Sequence, residues 1–95
     1  MPFTLVSTDH FLSQVEYLPD DVYLQLQKQI LLLEQNPRHP SLRTHEVKNV
    51  IGSYGGKISE GYVNKQYRFT WEYGKQSSEI ILRNVDNHDE CLRSP

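Results

Sequence analysis

The chain has 95 residues, 37% of them hydrophobic and 23% charged, with a net charge of −2 and one cysteine, Cys91. These values exclude a disulfide scaffold and a disordered chain, and the longest apolar run, Ile30 to Leu33, is far too short to cross a bilayer. A single domain over 1–95 is expected, burying roughly 60–65 % of its unfolded surface; the N-terminus reads as no leader, so a cytoplasmic protein is expected.

The charge is unevenly distributed. Residues 1–40 hold two basic and five acidic groups, residues 41–85 seven basic and four acidic, and the tail from Asp86 one basic and three acidic. A net negative chain is a poor long-range attractor of phosphate, so any anion site belongs to the middle segment.

In chain order, Phe3 and Leu5 open a short strand, and Ser7, Thr8 or Asp9 offers an N-cap for a helix through about Tyr17. Leu18-Pro19 interrupts it. Asp20 and Asp21 begin a second helix whose stripe is Val22, Leu26, Ile30 and Leu33, ending near Asn36-Pro37. From Glu46 the period becomes two: strands are expected over 47–51, 57–62, 66–73 and 79–85. In the third of these, Tyr67, Phe69, Trp71 and Tyr73 point one way and Gln66, Arg68, Thr70 and Glu72 the other. The expected fold is α+β, two N-terminal helices on a small antiparallel sheet in the order βααββββ.

Basic groups recur on separate strands: Lys57 in Gly-Lys-Ile-Ser, Arg68 in Gln-Tyr-Arg-Phe-Thr-Trp and His88 in Val-Asp-Asn-His-Asp. Gathered on one sheet face they would suit a phosphodiester, because cleaving RNA through its own 2′-hydroxyl needs a proton acceptor, a proton donor and cations, and no metal. Each has a plainer reading. Arg68 could pair with Glu72 on the surface, and His88 could sit in a turn beside a carboxylate. Tyr67, Phe69 and Trp71 read as core; Tyr62 and Tyr54, near turns, are the better base-stacking candidates. His39 and His45 are too few for a metal site.

The order Leu18-Pro19, amphipathic helix, Asn36-Pro37-Arg38-His39-Pro40-Ser41-Leu42-Arg43, Tyr67-Arg68-Phe69-Thr70-Trp71-Glu72-Tyr73 and Ile80-Ile81-Leu82-Arg83-Asn84-Val85-Asp86-Asn87-His88-Asp89-Glu90 resembles the RelE/ParE toxin superfamily of toxin–antitoxin modules, over nearly the whole chain. The resemblance implies a ribosome-dependent endoribonuclease, with no cofactor, held inactive by a cognate antitoxin in a hetero-oligomer; the other branch implies a gyrase inhibitor, and a degenerate member would only bind antitoxin. Carried over by position, Arg68 meets the scissile phosphate, Lys57 is the preceding strand's cation, and His88 is the late acid. Glu46 or Lys48 stands where some members place an auxiliary carboxylate or lysine, and Arg43, Lys48, Arg83 and Tyr62 are expected to touch RNA. Ser59 and Leu92 depart from the family's pattern, replacing a second basic residue and a late tyrosine.

Overall fold

The computed structural model describes residues 2–52, 55–76 and 78–93. Thr8 accepts a hydrogen bond from the Phe11 amide at 3.1 Å, so strand β1, Thr4–Ser7, gives way at once to helix α1, Asp9–Val15. Helix α2, Asp20–Gln35, starts with Asp20 and Asp21 in its first turn, where carboxylates suit the positive end of the helix dipole. Its stripe buries Val22, Leu26 and Leu33 and half-buries Ile30, and Asn36 caps its C-terminus before Pro37.

Strands β2 (His45–Ile51), β3 (Lys57–Tyr62), β4 (Tyr67–Tyr73) and β5 (Glu79–Asn87) pair antiparallel, as expected. Strand β1 joins β5 in parallel, so the five-stranded sheet, ordered β1-β5-β4-β3-β2, is mixed. A parallel neighbour needs a long crossover, and everything from α1 to β4 supplies it; four residues carry no local sign of strand direction.

Phe69 and Trp71 of β4 are fully buried with Leu26, Leu33, Leu82 and Val85, as their alternation requires. Gly61, opposite Phe69 on β3, makes room for them: a Cβ there would stand 2.6 Å from the Trp71 ring. The β4–β5 register slips between Thr70 and Trp71, passing over Arg83. Gln14 of α1 fills the irregularity, accepting from the Val85 amide at 2.8 Å and donating to the Asn84 side chain.

The second sheet face is not the open polar surface expected from the alternation, for Glu60, Thr70 and Glu72 are all buried. A third helix absent from the sequence reading, α3 (His88–Arg93), packs on β4 and β5 and buries Cys91. Among the described residues no helix is long and apolar enough to cross a membrane.

Candidate functional site

The pairings Tyr62↔Arg68, Glu60↔Thr70 and Ile58↔Glu72 place these six residues on the α3 side of the sheet. The pairings Gly61↔Phe69 and Ser59↔Trp71 mark the other side, and Lys57, two positions before Ser59, belongs there. Lys57 and Arg68 therefore do not share a face. Ser53 and Tyr54, in the segment expected as a turn before β3, lie outside the described residues. Glu46, opposite Ser59, stays with Lys57: its Oε1 is 3.4 Å from Nζ, with the two side chains 48% and 79% exposed, a pair of little energetic weight.

The other expected residues fall in different places. His88 opens α3 with its amide on the Gln66 carbonyl at 2.7 Å and its Nδ1 3.6 Å from Asp89. It stands two residues beyond Asp86, the register partner of Arg68, at the same end of the sheet. Lys48 is exposed on the edge strand β2. Arg83 is turned inward, its Nη1 2.5 Å from the buried carboxylate of Glu72. Glu72 thus pairs with Arg83, not with Arg68. Leu92 lies in α3, and its side chain is outside what the structure describes.

What the fold does gather is Arg43, Tyr62 and Arg68. The guanidinium carbon of Arg43 lies 4.4 Å from the centre of the Tyr62 ring, and that of Arg68 lies 4.7 Å from it. Among the described residues neither guanidinium has a carboxylate within ion-pair distance. An aromatic face offsets one cation by about 0.5–1 kcal/mol at exposed sites, so two cations on one ring keep positive charge available to an anion. A planar guanidinium can grip phosphate through paired N–H donors.

Every member of the cluster is fixed by buried or backbone contacts. Gln29, buried on α2, spends both amide protons on carbonyls, reaching Ser41 at 3.0 Å and Tyr62 at 2.7 Å. Asn64 shapes the β3–β4 turn by accepting from the Gln66 and Tyr67 amides, both at 2.8 Å, and its own carbonyl holds Arg68 Nη1, which also donates to the Tyr67 carbonyl at 2.9 Å. Arg43 ends a single 3₁₀ turn, Pro40–Leu42, in the left-handed region at φ 49°, which costs a non-glycine residue roughly 1–2 kcal/mol. Such strain persists where surrounding contacts impose it.

His45 imposes part of it. Its Nδ1 lies 3.3 Å from the Arg43 carbonyl and its Nε2 3.2 Å from Oε1 of Glu60. Glu60 is fully buried, and among the described residues neither of its oxygens has a well-aligned hydrogen bond.

Beside Tyr62 and Arg43, Lys28, Gln25 and Asn64 line a groove of about 550 Å³ with no acidic residue on its walls. Lys28 escaped the sequence reading because a helical lysine carries no local mark of what it faces. Cys91, on the buried face of α3, is an inert thiol: burial, then the charges of Glu60 and Asp86, push it up to about 12.

No protein-family model and no curated protein matches the chain by sequence. Solved structures do match it by fold. A chain of the archaeal RelE–RelB complex from Pyrococcus horikoshii superposes with TM-score 0.72 at 12% identity, over 92% of this chain and 96% of that one. The YoeB/ParE toxin from Agrobacterium tumefaciens gives 0.70 at 12% identity, over 90% and 98%. This chain has the fold of the RelE/ParE toxins. A chain of a RelBE toxin–antitoxin complex from Mycobacterium tuberculosis repeats the likeness, with TM-score 0.67 at 15% identity over 93% and 100%. The RelE/ParE scaffold hosts more than one chemistry, so function rests on the site.

Proposed function

We propose that the chain is the toxin of a toxin–antitoxin pair and that it cuts mRNA held in the ribosomal A site. The observation that carries this reading is the pair of guanidiniums over Tyr62, without a carboxylate partner among the described residues and beside a groove lined by no acid. Arg68 and Arg43 bind the scissile phosphate and stabilise the charge that grows on it as the 2′-oxygen attacks phosphorus and the bond to the 5′-oxygen breaks. His88 gives its proton to the leaving 5′-oxygen, and Asp86, half-buried and in register with Arg68, accepts the proton of the 2′-hydroxyl. The products are a 2′,3′-cyclic phosphate and a free 5′-hydroxyl. Glu46 and Lys57, on the opposite face, contact the RNA strand away from the bond that breaks. A chain at −2 is a weak RNA binder alone, and the ribosome supplies the positioning.

The antitoxin covers the outer groove of the helix pair. Leu12 and Leu31 are 52% and 63% exposed there and, with Tyr23 and Val15, line an apolar trough of about 490 Å³ beside the acidic starts of both helices. An amphipathic helix with basic flanks fits it.

Expression without antitoxin is the test. Translation arrest with cuts in ribosome-bound mRNA is expected, and Arg68→Ala should lower single-turnover cleavage by about 10²–10³-fold with ribosome association kept. DNA-damage induction with intact mRNA would instead place the target at gyrase, and a wild type with neither effect would leave an antitoxin-binding protein only.

A further inference from the structure

We propose that the groove between residues 37–46 and the start of β3 is a second phosphate-binding site, which holds a backbone phosphate of the same RNA strand that the Tyr62 cluster grips. The proposal rests on the RNA reading above. The groove measures about 760 Å³, room for a nucleotide, and Arg38, His39, Arg43, Glu46, Lys57 and Ser59 stand around it. Three of these are cations against one carboxylate.

The donors are arranged for an anion. The Nδ1 of His39 accepts from the Ser41 amide at 3.1 Å, so the neutral ring carries its proton on Nε2 and offers a donor, not an acceptor. Arg38 is anchored through its backbone, its amide on the Asn36 side chain at 3.0 Å, and among the described residues its guanidinium has no ion-pair partner. Among the described residues Lys57 has Glu46 as its ion-pair partner, an exposed contact that a phosphate replaces at little cost. Pro37 and Pro40 stiffen the wall, so little entropy is lost on binding. Metal binding is the poorer use of its two histidines, because among the described residues no three potential ligands come together.

Arg43 lines this groove and the Lys28 groove as well. A single strand can therefore leave the Tyr62 ring, pass Arg43 and enter between Arg38 and Lys57, with a cation at each step. On this path Arg38, His39 and Lys57 are positioning residues that hold the substrate strand away from the reacting bond.

The test is fluorescence anisotropy with a short labelled single-stranded RNA and the full chain at low ionic strength, with a nucleoside monophosphate as a second probe. Arg38→Ala and Lys57→Ala, both on exposed side chains, should each weaken RNA binding several-fold and lower the salt slope by about one, as loss of one phosphate contact does. Variants that bind RNA like the wild type, while Arg43→Ala weakens it, would overturn this second site and leave the RNA reading standing. Loss of mononucleotide binding alone would assign the groove to a free nucleotide and overturn it too. No RNA binding by the wild type at low ionic strength would overturn the second site, while the cleavage reading stands or falls on the expression test.

Discussion

At the Tyr62 end of the sheet two guanidiniums, one exposed and one half-buried, have no carboxylate within ion-pair distance among the described residues, whereas farther along the same strands two carboxylates, Glu60 and Glu72, are buried with His45 and Arg83 against them. The two regions share strands β3 and β4 and are built from the same kinds of residue. They differ in what water does to them. Exposed cations cost little to assemble and remain available to an anion, while buried carboxylates must be matched inside the protein or the fold suffers. The buried Glu60 and Glu72 therefore read as structure and the Tyr62 end as function.

The largest expected effect tests the buried side. Arg83→Ala removes the cation 2.5 Å from Glu72, whose carboxylate also presses on Gly52, where a Cβ would come within 1.9 Å of it. Removing one partner of a buried pair costs about 3–5 kcal/mol, and the partial exposure of Arg83 lowers this to about 2–3 kcal/mol. Chemical denaturation should find that loss. A variant as stable as the wild type would mean the pair does not hold the sheet.

Next comes the core beneath the helices. Gly61→Ala would put a methyl group 2.6 Å from the Trp71 ring and 2.9 Å from Phe69, and overpacking of this kind costs roughly 1–3 kcal/mol. A melting temperature unchanged by that substitution would argue that Trp71 can move aside.

That core was the part legible in the sequence, and the reason is that its signals are local. The stripe on α2 and the alternation of β4 each fix a buried face from neighbours in the chain, and Thr8 and Asn36 mark helix ends by side-chain chemistry. The site was legible only in its residue types. Arg43, Tyr62 and Arg68 were singled out separately, yet their meeting depends on a left-handed residue, a turn shaped by Asn64 and an amide from α2, none of which has a period. Lys57 was expected on the face of Arg68 because the parity of a strand is invisible until the turn before it is known. Helix α3 was missed because a six-residue polar segment, His-Asp-Glu-Cys-Leu-Arg, has too few apolar positions to show a face.

A smaller effect separates the buried side from the surface by pH. Cys91 is held up to about 12 in the folded chain against 9.0 for the unperturbed thiol, so between these values the unfolded chain loses a proton that the folded one keeps. The unfolded state then binds fewer protons, and stability falls as pH rises. By pH 10 this should reach on the order of 1 kcal/mol, absent from Cys91→Ala. Wild type and variant losing stability in parallel from neutral pH to pH 10 would show the thiol to be less enclosed, and rapid alkylation of the native protein would say the same.

The smallest change in stability is expected where the change in function is large, and Arg43 supplies it. At φ 49° a glycine rests without the strain that arginine bears, while glycine's greater freedom in the unfolded chain takes back about 0.5–1 kcal/mol. Arg43→Gly should therefore match the wild type in stability, or exceed it by up to ~1 kcal/mol, while RNA binding weakens several-fold because one of the two cations over Tyr62 is gone. Opposite signs in the two measurements mark a residue kept strained for a ligand. A loss of stability beyond ~1 kcal/mol with RNA binding intact would reverse the assignment, making the Arg43 stack a brace for the Pro40–Leu42 turn and leaving the surface cations without their distinct role.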